Sequence, residues 1–228
     1  MSRQGLILTR RELNDGIYID FEQRKNDESP AMIGVYEGNR YRCYVLDDRL
    51  TRVSYVKANG SRESVPFLEE LLDRSMASGV YLFAFSEHEK NIMQKLLPHR
   101  LADIERQYIN VNYIAKRFFN SSRKRVMRKL KAGKLVETNG FTSKIGLKDY
   151  LAYLGYGFPK VLSTDFKGAG TVLGIVRDQL ATRKRFKHLT VLAQTQWKHL
   201  VTYNMQDCKG AKHLVRYVLS RSGGSVTV

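Results

Sequence analysis

Gly16-Ile17-Tyr18-Ile19-Asp20-Phe21-Glu22 is the stretch on which the fold turns. It alternates cleanly. With a period of two, Ile17, Ile19 and Phe21 leave one face of a strand, and Tyr18, Asp20 and Glu22 leave the other. Two carboxylates two residues apart on a strand share a face. A second acidic signature lies almost two hundred residues on, in Tyr203-Asn204-Met205-Gln206-Asp207. That segment reads as helix, and Tyr203 and Asp207, four apart, share a face if the helix is continuous.

Outward from the strand, the chain organises as a meander and then a layered alternation. Ala31 to Tyr36 and Tyr41 to Leu46 read as two further strands, with Glu37-Gly38-Asn39-Arg40 as the hairpin turn between them. Leu50 to Val56 reads as an extension of the meander. Ser64 to Ser75 is helical, with Pro66 in its first turn. Val80 to Phe85 is a continuous apolar strand. Ser86-Glu87-His88-Glu89 carries a helix start, with Ser86 as N-cap and Glu89 at the capping-box position, and the helix runs to about Leu97. Gly146 to Leu154 and Ala169 to Ala181 read as helices. Thr190 to Leu219 is a long helical stretch with an expected break near Tyr203-Asn204. Three antiparallel strands, then parallel strand with flanking helices, make an α/β layer fold, taken as one domain over 1–228.

The chain of 228 residues is strongly basic, with 39 Lys and Arg against 22 Asp and Glu, a formal +17. A folded, aromatic-rich chain with that excess points to a phosphate-bearing partner, nucleic acid first. Only Cys43 and Cys208 occur, and no His cluster completes a zinc site. The first ten residues have too short an apolar core for a signal peptide, and no run is long enough to span a bilayer. A reduced, cytoplasmic setting without membrane contact is expected.

Residues 108–138 change character. Lys116, Arg117, Arg123, Lys124, Arg125, Arg128, Lys129, Lys131 and Lys134 crowd together, interleaved with Phe118, Phe119, Val126, Met127 and Leu130. Over about 116–138 this reads as a basic insertion: a short amphipathic helix ended by Gly133, with Asn139-Gly140 as a turn. Its cations would bind phosphates without reading sequence. Phe118 and Phe119 either stack on bases or anchor the segment to the core. Arg183, Lys184 and Arg185 form a second basic run, read as another wall of the same groove or as a solvated linker.

The quoted segments resemble the DEDD exonuclease superfamily of the ribonuclease-H-like fold, in its tyrosine subgroup. Ile19-Asp20-Phe21-Glu22 is similar to that family's first motif, and Tyr203-Asn204-Met205-Gln206-Asp207 to its third. The histidine subgroup would place His five residues before the last Asp, and position 202 is Thr. The chain is most similar to the YprB-like group of exonuclease domains found beside RecB-type nucleases and helicases. Leu101-Ala102-Asp103-Ile104 and the segment Gly146 to Tyr156 look like two further parts of that group. The resemblance spans residues 16–220, apart from the basic insertion. It departs at the second motif, where the usual acid is Asp. The matching position here is Glu89, with Asp103 as the substitute candidate.

The resemblance implies 3′–5′ hydrolysis of phosphodiester bonds with two Mg²⁺ or Mn²⁺ ions. Asp20 would bridge both ions. Glu22 and Asp207 would help hold the first, Glu89 would support the second, and Tyr203 would orient the attacking water. Hard cations suit such oxygen ligands, and two ions ~4 Å apart stabilise both the attacking and the leaving oxygen. The implied partners are a single strand or 3′ end of DNA or RNA, and a helicase or another nuclease subunit. Two rival readings share the residues: a structure-selective endonuclease on the same fold, and a non-catalytic nucleic-acid-binding subunit of a larger complex.

Overall fold

The structure is a computed structural model that describes residues 6–138, 144–159, 162 and 165–227. Its centre is a five-stranded mixed sheet. The strands are β2 (Ile17–Glu22), β3 (Met32–Glu37), β4 (Arg40–Val45), β5 (Leu82–Ala84) and β6 (Tyr108–Asn110), in spatial order β4-β3-β2-β5-β6. The β2–β3 and β3–β4 pairs are antiparallel, while β2–β5 and β5–β6 are parallel. β1 (Ile7–Thr9) lies outside this sheet and pairs with β7 (Ser225–Thr227), tying the two ends of the described chain together.

The alternation read in β2 sets the layering. Ile17, Ile19 and Phe21 pack under α2 (Ser64–Ala77), α3 (Glu87–Leu96) and α4 (Leu101–Gln107), against Leu68, Leu72, Ile92, Met93 and Ile104. Tyr18 faces the opposite layer, stacked on Phe83 with centroids 4.9 Å apart. That layer is built from α5 (Val111–Ser121), α7 (Leu147–Tyr153) and the C-terminal half of α9 (Val191–Arg221), through Phe119, Tyr150, Leu214 and Val218. A third apolar cluster joins β3 and β4 to α8 (Ala169–Arg183) and the N-terminal half of α9, around Trp197. β2 is therefore covered on both faces, as a central strand in an α/β sheet must be.

The structure departs from the sequence reading in five places. Leu50 to Val56 does not extend the meander: Asp48–Val53 is a 3-10 helix, started by the Asp47 side chain accepting from the Arg49 amide. Tyr108–Asn110, counted with the basic segment, is the fifth strand. The basic segment is two helices, α5 and α6 (Lys124–Glu137), and α5 belongs to the core, since Phe118 and Phe119 are buried. Burying each ring is worth roughly 2–3 kcal/mol, which is why the anchoring role prevails over base stacking. Gly133 does not end α6, which continues to Glu137. Finally, α9 is continuous for 31 residues, with no break at Tyr203-Asn204. The Asn139-Gly140 turn lies outside the described residues.

Candidate metal and nucleic-acid site

β2 delivers Asp20 and Glu22 to the face that α9 covers, and α9 delivers Asp207 from above. One carboxylate oxygen from each of the three lies within 4.8 Å of the others. Such closeness needs α9 almost in contact with the sheet. Gly34, paired with Asp20 across β2–β3, makes that possible. A Cβ at Gly34 would sit 1.7 Å from Asn204 Oδ1. Asn204 fills the space instead. It is fully buried, and its Nδ2 donates to Asp20 Oδ2 at 2.7 Å and to the Asp20 carbonyl at 3.0 Å. Its Oδ1 accepts from the Tyr41 hydroxyl at 2.7 Å. Both ends of the amide are used, so its orientation is fixed.

Glu89 and Tyr203 line the same cleft of about 420 Å³, together with Asp20 and Asp207. Glu89 stands apart from the group of three. It completes the capping box of α3, with Oε2 accepting from Ser86 Oγ at 2.8 Å and from the Ser86 amide at 3.3 Å. It is nonetheless buried and close enough for its charge to raise Asp20. Tyr203 precedes Asp207 by one turn of unbroken helix, so the two share a face as the spacing requires. Its ring stacks on Phe166 at 4.8 Å, and Lys148 Nζ lies 4.4 Å from the ring centroid. Asp103 is elsewhere, bound by Arg100 at 2.7 Å and Arg106 at 3.0 Å on α4. Those ion pairs account for it without a ligand role.

Burial dominates the electrostatics. It pushes Asp20 well above the usual carboxylate range, and repulsion from Glu22, Asp207 and Glu89 adds to the rise. Glu22 is raised from 4.5 to about 8, by burial first and then by Asp207, against the lowering effect of Asn204. Asp207 rises from 3.8 to about 7 through burial, held back by the Tyr203 hydroxyl and the Lys148 ammonium. Glu89 is also raised by burial. Burial and mutual repulsion disfavour full ionisation of this cluster unless a cation is supplied.

A divalent cation fits this donor set. Oxygen-only, anionic ligands are those that hard cations prefer. Asp207 Oδ1 is buried and has no hydrogen-bond partner among the described residues, which leaves it available to a ligand.

The cations are distributed around the cleft and beyond it. Lys134 of α6, Lys144 and Lys148 line it directly. Lys134 bonds to Asp149 at 3.4 Å and Glu137 at 3.0 Å, so α6 is tethered at the rim. Lys116, Arg117, Arg123, Lys124, Arg125, Arg128 and Lys129 are all exposed on α5 and α6. Arg183, Lys184 and Arg185 are exposed at the end of α8, and Lys184 lines a different cleft that shares no residue with the acidic one.

The spacing of Asp20, Glu22 and Asp207 is visible in the sequence, whereas the residue that holds them, Asn204, is not marked by any motif. Its signal was an Asn in a helix interior, a poor helix former on the face that also carries Asp207. Gly34 in mid-strand was the matching signal, since an interior strand glycine marks a close approach. Lys148 carried no signal of its own.

No protein-family model matches the chain, and no curated protein matches it. Among the described residues, no helix is long and apolar enough to cross a membrane.

Proposed function

We propose that this protein is a divalent-metal-dependent nuclease of the ribonuclease-H-like fold, which removes nucleotides from the 3′ end of a nucleic-acid strand. The observation that carries the reading is the convergence of Asp20, Glu22 and Asp207 within 4.8 Å, with Asp20 and Asp207 opening into a cleft that Glu89 and Tyr203 also line. The sheet supports it: three antiparallel strands followed by two parallel ones, with the acidic strand in the middle. So does the charge, since carboxylates gathered inside a chain of +17 are placed against the general field of the molecule.

Asp20, Glu22 and Asp207 would hold Mg²⁺ or Mn²⁺, with Glu89 supporting a second ion. Bound there, the ions supply positive charge to the attacking and leaving oxygens of an in-line displacement. The chain's own groups do the rest. Asn204 fixes the Asp20 carboxylate before substrate arrives, so little reorganisation remains for the reaction. The Tyr203 hydroxyl, on the same cleft wall, positions the attacking water. Lys134, Lys144 and Lys148 draw the phosphodiester backbone toward the carboxylates.

The test is digestion of 5′- and 3′-labelled single-stranded and duplex DNA and RNA with Mg²⁺, Mn²⁺ or EDTA. A 5′ label should give a ladder of shortening products, and a 3′ label should be released as mononucleotide. Cutting of a circular single strand would replace the exonuclease reading with an endonuclease. Metal-independent products, or none on any substrate, would end the nuclease reading.

A further inference from the structure

A second cleft, of about 520 Å³, opens where the end of β2 meets the 3-10 helix Asp48–Val53 and the C-terminus of α8. Its floor is Arg177, buried, which pairs with Asp27 at 2.8 Å and Asp47 at 2.5 Å. Arg49 takes the other oxygen of Asp47 at 2.9 Å. These pairs consume the two loop carboxylates. Arg24, Arg52 and Lys184, also lining the cleft, are left exposed and without a carboxylate partner among the described residues. Asp48 and Asp178 line it too and oppose them in part.

Two features of the backbone bear on where these cations sit. Lys184 adopts φ 59°, ψ −11° at the end of α8, the left-handed position where glycine is the ordinary residue. Gly174 on α8 carries no Cβ, and one added there would lie 3.3 Å from Arg24 Cζ, so the guanidinium rests against bare helix. Arg24 follows Glu22 by two residues, at most about 7 Å of chain. The metal-site strand therefore runs directly from the carboxylate centre into this cleft.

We propose that the cleft formed by Arg24, Arg52 and Lys184 is a second binding site for the phosphate backbone of a single-stranded nucleic acid, holding the strand whose end lies at the carboxylates. The nuclease reading supplies the identity of the polyanion, on which this proposal rests. Three unpaired cations at one cleft suit consecutive phosphates, and they make no base-specific contact.

The test measures binding of a fluorescent single-stranded oligonucleotide to the full chain in EDTA, as a function of salt. Each lost phosphate contact lowers the log–log salt slope by roughly 0.7, so Arg52→Ala with Lys184→Gly should lower it by about 1.4. Affinity at 0.1 M salt should fall on the order of tenfold. Lys184→Gly alone should keep or raise the melting temperature, because glycine suits its backbone, so weaker binding cannot be ascribed to misfolding. Asp178→Asn should tighten binding. Inorganic phosphate, compared with chloride at matched ionic strength, should not displace the oligonucleotide; if it does, the cleft is a free-anion site and the strand proposal falls. An unchanged slope in the double variant while the wild type still cleaves overturns this cleft alone. A wild type that binds but never cleaves overturns the nuclease reading and leaves the cleft standing.

Discussion

Asn204 holds Asp20 across 184 positions of sequence, donating to its carboxylate at 2.7 Å and its carbonyl at 3.0 Å from a single buried amide. The contact exists because Gly34 leaves room for it. Strand, neighbouring strand and helix are thus locked at the point where the carboxylates meet.

Gly34→Ala tests that lock. The new methyl would fall 1.7 Å from Asn204 Oδ1, far inside contact distance, and α9 cannot retreat without opening the core on either side of it. Overpacking of this kind costs roughly 1–3 kcal/mol. Urea denaturation should show a loss in that range, and the metal-dependent rise in melting temperature should shrink with it. An unchanged midpoint would mean that α9 sits farther from the sheet.

Asp20→Asn should abolish cleavage while leaving nucleic-acid binding largely intact, because it removes one charge from the shared ligand set and none from the basic surface. The same variant should lose most of the stabilisation that Mn²⁺ gives the wild type in a thermal melt, since a cation bound only to the folded state stabilises it by mass action. Cleavage at the wild-type rate would refute the site assignment.

How much of this was written in the sequence differs between strand and helix. β2 was legible because alternation and two carboxylates coincide in six residues, and its one-sided geometry follows from the period alone. The α3 start was legible because Ser86 and Glu89 form the capping box that their spacing prescribes. Tyr108–Asn110 was not, because a three-residue strand gives almost no periodic signal and is defined by pairing with Leu82–Ala84. The break expected at Tyr203-Asn204 failed for a related reason. Local propensity disfavours Asn within a helix, but tertiary bonds to Asp20 and Tyr41 occupy its amide, and the helix continues through it. The carboxylates could be nominated from sequence; the residues that orient them are defined by contacts between distant segments.

Stability without metal should fall as pH rises. Glu22 and Asp207 have folded-state values raised from 4.5 to about 8 and from 3.8 to about 7, so the folded state binds more protons than the unfolded chain between those limits. Their contribution is complete below the unfolded values and is lost as pH climbs through about 7 to 8. Melting temperature in EDTA should therefore decline from about pH 5 to about pH 8.5, and Mn²⁺ should offset the decline most at the high end, where protons no longer compete for the ligands. A flat EDTA profile would contradict the burial of the cluster.

Tyr203→Phe separates positioning from metal binding. The ring contacts with Phe166 and Lys148 survive the change and all four carboxylates remain, although Asp207 loses the hydroxyl that lowers it. Turnover should fall on the order of 10²-fold, the lower end for a group that positions a proton-bearing reactant. The Mn²⁺ shift of the melting temperature should stay close to wild type. If turnover is unaffected, the hydroxyl plays no part in orienting the attacking water.

The exposed run on α6 makes a different demand. Arg123, Lys124 and Arg125 are exposed at the start of that helix, whereas Lys134 near its end lines the carboxylate cleft. Cations at the N-terminus of a helix oppose its dipole, so they persist there at some cost to stability. Replacing the three with Ala should therefore leave the fold intact or slightly firmer. If they contact phosphates, each should contribute roughly 0.7 to the salt slope, so the triple variant should bind all sequences more weakly with a slope lower by about 2.1. Turnover at saturating substrate should change little, because none of the three lines the carboxylate cleft. An unchanged slope would turn this face toward an acidic protein neighbour, and the strand would then reach the carboxylates without help from the start of α6, by way of Lys134, Lys144 and Lys148 at the cleft itself.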